Sequence, residues 1–223
     1  MGSTSVRQRL ITVLVRQAHQ PRGLLGRLEG LLFAYRPSNR QRNRWVVELL
    51  DVRPTDRVLE VGFGPGVAIG WLARRATRGR VYGIDHSEVM VRQASRRNAA
   101  AIRAGRVELI RASVVALPAF DEPLDAILAV NTVGMWPDPV RRLTELRGLL
   151  RPGGRIALVS QPRCPGATAE TTERAGRELT DQLGEAGFTD ARGETLALDP
   201  PVACVLAANP LGQTSYVDGR DPA

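Results

Sequence analysis

The sequence predicts an α/β protein built on a doubly wound, seven-stranded, mostly parallel sheet with an antiparallel last strand and an N-terminal helical cap. Between residues 57 and 186, short apolar runs alternate with helix-length segments, which is the spacing of right-handed crossovers between parallel strands. The run Leu124–Val130 is almost wholly apolar, as expected for a parallel strand that is covered on both faces. The last two runs are joined only by residues 199–201, a linker short enough to make them an antiparallel pair.

The individual elements follow from apolar periodicity and from turn residues. Residues 6–34 are predicted to form two amphipathic helices that are separated at Pro21, and Ser38 or Asn39 is predicted to cap a third helix. Residues 152–154, Pro-Gly-Gly, are predicted to be a turn. The remaining helices are expected at 66–77, 87–103, 138–150 and 168–186, and the strands at 57–62, 80–84, 107–111, 124–130, 155–160, 190–198 and 202–208.

The charge distribution separates the beginning of the chain from the rest. Residues 1–44 contain nine arginines and one acid, for a net charge of +8, whereas residues 45–223 carry equal numbers of positive and negative residues. We therefore predict a basic helical cap or lid at 1–44, a ligand-binding domain at 45–208 and a flexible polar tail at 209–223. The cap is expected either to attract an anionic substrate, carrier, nucleic acid or lipid surface, or to be a solvated cap with no partner.

Composition excludes several classes of protein. With 43% hydrophobic and 24% charged residues, the chain has the composition of a globular protein and not of a disordered, collagenous or coiled-coil one. Two cysteines are too few for a disulfide framework, and no metal is predicted. No apolar run approaches the roughly 20 residues that span a bilayer, and no signal peptide is recognisable, so a cytoplasmic protein is expected.

A glycine-rich loop between the first strand and the following helix is the first sign of a ligand site. Gly62, Gly64 and Gly66 allow the backbone to approach a ligand closely, and the helix N-terminus adds a positive dipole. The third glycine comes one residue earlier than in a dinucleotide fingerprint, and a P-loop is excluded because the chain has no lysine. Asp85 ends the second strand, where a carboxylate can accept both hydroxyls of a ribose; the alternative is that Asp85, like Ser87, caps the next helix.

Together with other motifs, this loop resembles the class I S-adenosylmethionine-dependent methyltransferases, which have a Rossmann-like fold. The resemblance covers about residues 40–208 and implies that 45–208 is the methyltransferase domain. It implies S-adenosylmethionine as cofactor and S-adenosylhomocysteine as product. The motifs that carry it are VLEVGFGPG at 58–66, GID at 83–85, ALP at 116–118, LDAIL at 124–128, LLRPGGR at 149–155 and EAGF at 185–188.

The resemblance also implies roles for single residues. Glu60 would orient the glycine loop and the amino group of the cofactor, Asp85 would hold the ribose, and His86 would flank the adenine. Ser113 stands where the family usually has an acid for the adenine amino group, and its hydroxyl can still accept that hydrogen bond. Asn131 would contact the methionine end of the cofactor and face the acceptor. The full set of implied cofactor residues is Glu60, Gly62, Phe63, Gly64, Gly66, Asp85, His86, Ser113, Val114 and Asn131.

Methyl transfer from a sulfonium needs alignment and exclusion of water more than it needs titratable groups. Residues 131–138 lack the histidine that many relatives carry there. We therefore expect either no dedicated general base or one from the cap, with Tyr35 and His19 as the candidates. The candidate acceptor pocket consists of Phe33, Tyr35, Thr132, Met135 and Trp136, and Trp45 is a further candidate. For Phe33, Trp45, Met135 and Trp136, the alternative is an ordinary position in the core.

We predict that the methyl group is transferred to an O, N or C atom of a small molecule or lipid. In one form of this prediction, the acceptor molecule is anionic or is carried on a protein or peptide. Residues 131–134 do not match the Asn/Asp-Pro-Pro-aromatic run of exocyclic-amine methyltransferases, and ten aromatic residues make a base-stacking platform improbable, so nucleic acid is disfavoured. Two alternatives stay open: different chemistry on the same cofactor, and a nucleic-acid- or membrane-binding module that uses the arginine-rich cap. A membrane surface and a homodimer also stay open as partners.

Overall fold

Seven strands form one sheet in the order β3-β2-β1-β4-β5-β7-β6. The computed structural model describes residues 37–164 and 166–211, so the helices predicted within 6–34 and nearly all of the predicted tail lie outside the described residues. The strands are β1 Arg57–Val61, β2 Arg80–Asp85, β3 Val107–Arg111, β4 Leu124–Val130, β5 Leu150–Ser160, β6 Thr189–Leu196 and β7 Val202–Ala208.

Strand direction confirms the predicted fold class. The pairs β1–β2, β2–β3, β1–β4 and β4–β5 are all parallel. The last strand, β7, runs antiparallel to both of its neighbours, β5 and β6. The chain winds outward from β1 in one direction to β3 and then returns to continue through β4, so the carboxyl ends of β1 and β4 flank the point where the winding reverses. Ligands of doubly wound sheets bind in the crevice at that point.

Helices cover both faces of the sheet. Neighbouring residues of β1 alternate between the two sides, since Val58 belongs to one buried apolar cluster and Leu59 to the other. The cluster with Val58 contains side chains of α1, α2 and α3, and the cluster with Leu59 contains side chains of α5 and α6. The helices are α1 Pro37–Leu49, α2 Val67–Arg75, α3 Glu88–Arg97, α4 Ala99–Arg103, α5 Pro139–Leu149 and α6 Ala169–Glu185, with a 3₁₀ turn at Val133–Met135.

The helix predicted over 87–103 is wrong in one respect, because the structure divides it into α3 and α4. Asn98 separates the two helices with φ −106° and ψ 16°. Its Nδ2 donates to the carbonyl oxygens of Gly66 at 3.0 Å and Ala94 at 2.9 Å. The interruption therefore coincides with a side chain that links the glycine loop to α3, a contact between positions 32 residues apart.

The turn predicted at 152–154 is wrong as well, because these residues belong to an irregular first part of β5. Leu150 pairs with Leu124 and Arg155 pairs with Ala126, so four residues of β5 lie opposite one residue of β4 and the register shifts. The amide of Gly153 donates to the carbonyl of Asn209 at 2.9 Å. This bond extends the pairing between β5 and the end of β7 beyond the regular strands.

The predicted cap of the third helix also differs from the structure. Ser38 and Asn39 both lie inside α1, which includes Pro37, so neither is its N-cap. The predicted boundary between cap and domain, after residue 44, falls within this helix. None of the helices in the described part of the chain is long and apolar enough to cross a membrane.

Candidate functional site

A cavity of about 780 Å³ opens at the carboxyl ends of the central strands, beside the winding reversal. This volume falls within the range of about 300–1,000 Å³ that is typical of small-molecule sites. Most of the residues predicted to hold a cofactor or an acceptor line it. They are Glu60, Gly62, Phe63, Gly64, Asp85, His86, Ser113, Val114, Asn131, Thr132, Met135 and Trp136.

Two predicted residues are placed elsewhere. Gly66 does not line the cavity but faces α3, and Trp45 packs against the apolar core. Phe33, Tyr35 and His19 lie outside the described residues.

Gly62 is the position where the loop has no room for a side chain. Its φ is +74°, and a Cβ there would lie 2.3 Å from Cγ2 of Thr132. The hydroxyl of Thr132 donates to the carbonyl of Val61 at 3.2 Å. Thr132, which was predicted for the acceptor pocket, therefore also packs against the glycine loop and fixes its path.

Gly66 is a position where the start of α2 packs closely against α3. It precedes α2 with φ +74°, and a Cβ there would lie 2.6 Å from Cβ of Ala94 in α3. This glycine therefore allows the glycine loop and α3 to approach each other, and its contact with a cofactor stays a prediction.

Asp85 presents a buried carboxylate that is fixed by two backbone amides. Gly64 donates to Oδ2 at 2.9 Å, and Ser87 donates to Oδ1 at 2.8 Å. Burial raises the pKa of Asp85, and these two hydrogen bonds oppose the rise. The cap of α3 is Ser87, whose Oγ accepts from the amide of Met90 at 3.4 Å. Each oxygen of Asp85 has a further lone pair, so the carboxylate can accept both hydroxyls of a ribose.

Glu60 is the second buried acid of the site. Its side chain lines the cavity, and its Oε2 has no hydrogen-bond partner among the residues that the structure describes. Burial raises the pKa of Glu60 to about 8, and the charge of Asp85 adds to the rise, whereas the amide of Ile69 and the charge of Arg42 oppose it. A buried acceptor that lacks a partner is suited to the ammonium group of a bound amino acid.

Arg42, in α1, is a site residue that the sequence analysis missed. Its side chain is buried, lines the cavity and donates from Nη1 to Oε1 of Gln161 at 2.9 Å. Its Nε has no partner among the described residues. Burial lowers the pKa of Arg42 to about 10, and the nearby positive charge of Arg163 contributes, so the guanidinium stays charged at neutral pH. The sequence did indicate that Arg42 is buried, because Arg42 lies four residues before Val46 and therefore on the same buried face of the helix.

Gln161 connects this side of the site to the end of β4. Its backbone amide donates to Oδ1 of Asn131 at 2.7 Å, and its Nε2 donates to the carbonyl of Pro200 at 2.9 Å. Its Oε1 is therefore directed toward the two arginines, Arg42 and Arg163, and accepts from each at 2.9 Å. Asn131 itself adopts φ +57° at the point where the chain leaves β4.

These groups match the cofactor that the sequence resemblance implies. Glu60 and Arg42 offer opposite partners for the ammonium and the carboxylate of a methionine moiety, and Asp85 offers acceptors for a ribose. The residues present therefore fit S-adenosylmethionine.

The cavity has further lining residues besides these groups, and we call the part that they enclose the acceptor chamber, after the role proposed for it below. Trp136 is buried there, and Met135 is 45% exposed. The remaining wall comes from α6 and from the segment after β5. The chamber is lined by Met135, Trp136, Arg163, Ala175, Glu178, Leu179 and Gln182. Within the ranges 37–164 and 166–211, no three His, Cys, Asp or Glu side chains are grouped as metal ligands.

Comparison with known proteins gives the same assignment. A family model described as a methyltransferase domain matches residues 58–154. The uncharacterized methyltransferase YdaC of Bacillus subtilis is 31% identical over 173 residues, which are 77% of this chain and 93% of that protein. The 27-O-demethylrifamycin SV methyltransferase of Amycolatopsis mediterranei is 32% identical over 163 residues, which are 67% of this chain and 60% of that protein.

Among solved structures, a SAM-dependent methyltransferase from Aquifex aeolicus superposes with a TM-score of 0.62 at 22% identity, over 78% of this chain and 98% of the other. At this level of identity, the likeness shows the fold. The family assignment rests on the sequence relatives and agrees with the geometry of the cavity. The chain therefore belongs to the class I S-adenosylmethionine-dependent methyltransferases.

Proposed function

We propose that this enzyme methylates a small-molecule acceptor that binds in the acceptor chamber, next to the methionine end of the cofactor. The observation that carries the proposal is the continuity of the cavity. The same space that contains Glu60 and Asp85 extends to Trp136 and Leu179, so donor and acceptor would share one enclosure. The named acceptor of the Amycolatopsis relative is likewise a small molecule.

When bound, S-adenosylmethionine would supply an electrophilic methyl group for a lone pair of the acceptor, with S-adenosylhomocysteine as the leaving product. The residues of the chain position the two reactants. Glu60 and Arg42 hold the methionine end, Asp85 holds the ribose, and the apolar wall at Trp136 and Leu179 keeps water from the acceptor. An acceptor that is already nucleophilic needs no proton transfer to the protein.

The test is transfer of isotope-labelled methyl from S-adenosylmethionine, with the full chain, to a panel of phenols, amines and carboxylic acids. Formation of S-adenosylhomocysteine together with a labelled small molecule is the expected result. The variant Asp85→Asn serves as a cofactor-binding control and should transfer little label. Label that enters only added nucleic acid or protein would contradict the proposal, as would cofactor binding without any transfer.

A further inference from the structure

The strand β6 forms an exposed edge of the sheet. Among the strands of the described chain it pairs only with β7, and every residue from Thr189 to Thr195 is exposed. The edge at β3 differs, because Arg111 is the only exposed residue of that strand. An exposed edge strand presents backbone amides and carbonyls that can pair with a further strand. β6 is therefore a position at which another strand can extend the sheet.

Two opposite charges lie on one face of this strand. The pairing with β7 places Arg192 opposite Leu206 and Glu194 opposite Cys204. Both β7 side chains belong to the same buried cluster, so Arg192 and Glu194 lie on the same face of the sheet. Neither charged side chain has a hydrogen bond or an ion pair with a residue that the structure describes. Both charges are therefore available to a neighbouring strand.

Antiparallel pairing of two copies of β6 would bring these charges together. With a twofold axis at Gly193, Arg192 of each copy lies opposite Glu194 of the other. Directly opposite Cβ atoms of antiparallel strands are about 4.5–5.5 Å apart, which is within reach of an ion pair. The sheet already contains an exposed pair between neighbouring strands, since Nη2 of Arg80 lies 2.7 Å from Oε2 of Glu108.

Other positions of the axis lack this match. An axis at Arg192 or at Glu194 would place two like charges opposite each other, which is destabilising. An axis at Ala191 would place Arg192 opposite Asp190. However, Asp190 has φ +56° and lies where the pairing of β6 with β7 is irregular, so it is not part of the regular strand. The charges of β6 are therefore self-complementary in one register.

We propose that the protein forms a twofold-symmetric dimer through β6, in which two antiparallel copies of this strand join their sheets. Arg192 and Glu194 form two ion pairs across the axis and fix the register. Residues 191–195 are far fewer than the roughly 20–30 residues a side of a standard interface, so the dimer is weak and reversible. The residues of β6 do not line the cavity, so dimer formation leaves cofactor binding unchanged.

Sedimentation velocity of the full chain at low salt tests the proposal, at concentrations up to about 500 μM, which detect dimers with a micromolar dissociation constant. We expect a reversible equilibrium between monomer and dimer. Arg192→Glu and Glu194→Arg should each raise the dissociation constant about tenfold or more, because like charges would then face each other on both sides of the axis. The control Arg103→Glu makes the same charge change on the exposed surface of α4, next to the opposite edge, and should dimerise like the unmodified chain.

An equal mixture of Arg192→Glu and Glu194→Arg is the decisive sample. In a mixed dimer the two acids of one copy face the two arginines of the other, so the mixture should dimerise although neither variant does so alone at the same concentration. The double variant Arg192→Glu/Glu194→Arg should also dimerise, because it restores both pairs with their charges exchanged. Calorimetry with S-adenosylhomocysteine shows that each variant is folded.

Three results would overturn the proposal. The first is an unmodified chain that stays monomeric at every concentration. The second is a dimer that neither single charge reversal weakens, since the interface would then lie elsewhere. The third is a mixture of the two variants that stays monomeric, or a dimer that Arg192→Glu weakens and Glu194→Arg does not, because the axis would then not lie at Gly193.

Discussion

Glu60 makes cofactor binding dependent on pH. In the free protein its pKa is raised to about 8, chiefly by burial, so the side chain is mainly protonated at neutral pH. The ammonium of the cofactor favours the ionised carboxylate, so binding below pH 8 releases a proton. The affinity for S-adenosylhomocysteine should therefore rise between pH 6 and 8, by at most about tenfold per pH unit. It should level off near pH 8, because Glu60 is then already ionised in the free protein and binding releases no further proton.

Calorimetry in buffers of different ionisation enthalpy measures the released proton directly. The neutral variant Glu60→Gln has no carboxyl to titrate, so its affinity should be lower and should vary little over the same pH interval. An equally steep pH dependence in this variant would show that another group is responsible.

The role of the Asp85 carboxylate can be tested by comparison with Asp125, a second carboxylate of the same sheet. Asp85→Asn removes the charge that would bind the ribose and leaves one amide donor, of Gly64 or Ser87, facing an NH₂ group. Loss of a charged hydrogen-bond partner is worth about 1.5–3 kcal/mol, so the affinity for S-adenosylhomocysteine should fall by about tenfold or more.

The matched control for Asp85→Asn is Asp125→Asn. Asp125 also accepts from a backbone amide, that of Arg57, and pairs with Arg151, but it is the second residue of β4 and does not line the cavity. This variant should lose stability and keep its cofactor affinity, as titration calorimetry at 25 °C would show. Equal losses of affinity in the two variants would refute the assignment of Asp85.

The sequence alone is enough to predict some residues of the candidate site but not others. Glu60 and Asp85 stand at fixed positions relative to the glycine loop, so a local motif was enough to find them. Arg42 and Gln161 are 119 residues apart, and their contact exists only because α1 packs over the end of β5. No local pattern contains such a pair. For the same reason the sequence predicted Met135 and Trp136 at the acceptor chamber but not the wall that α6 contributes.

Among the elements, the glycine loop and α3 are connected by Asn98. Its buried Nδ2 donates to the carbonyls of Gly66 and Ala94. Asn98→Ala would remove this side-chain donor from both carbonyls, while the backbone amide of residue 98 still donates to Ala94. We expect a loss of about 1–3 kcal/mol in the free energy of unfolding, together with weaker cofactor binding. Urea denaturation gives the first quantity and calorimetry the second.

Arg97→Ala is the control for this connection. Arg97 reaches the same loop, since its Nε donates to the carbonyl of Pro65 at 3.0 Å, but the contact is exposed. Because exposed contacts contribute little, the change in unfolding free energy should stay within about 0.5 kcal/mol. Equal losses of unfolding free energy in Asn98→Ala and Arg97→Ala would show that the contribution of the Asn98 contact to stability does not come from its burial.

The strands were easier to predict than the breaks between elements. All seven strands lie near their predicted positions, because apolar runs such as that of β4 record burial directly. The division of the 87–103 helix depends on a contact of Asn98 with a distant loop, and the irregular start of β5 depends on a hydrogen bond from Gly153 to Asn209. Both features come from tertiary hydrogen bonds, which an apolar pattern does not contain.

At the scale of the whole molecule, the cavity joins parts of the chain that the fold brings together from far apart. Its walls come from α1, from the ends of the central strands and from α6, and these elements belong to the two different faces of the sheet. A ligand bound there contacts both layers at once. Binding should therefore stabilise the described fold as a unit and not only one loop.

This coupling predicts the thermal behaviour of the complex. At a concentration one hundred times its dissociation constant, a ligand that binds only the folded state adds about 2.7 kcal/mol of stability. For a chain of this size, 1 kcal/mol corresponds to about 2–4 °C, so S-adenosylhomocysteine should raise the melting temperature by roughly 5–11 °C. Asp85→Asn at the same ligand concentration should shift much less, and Asp125→Asn should shift like the unmodified chain from its own lower starting point. A shift of equal size in all three proteins would mean that the ligand stabilises the fold without using the ribose site at Asp85.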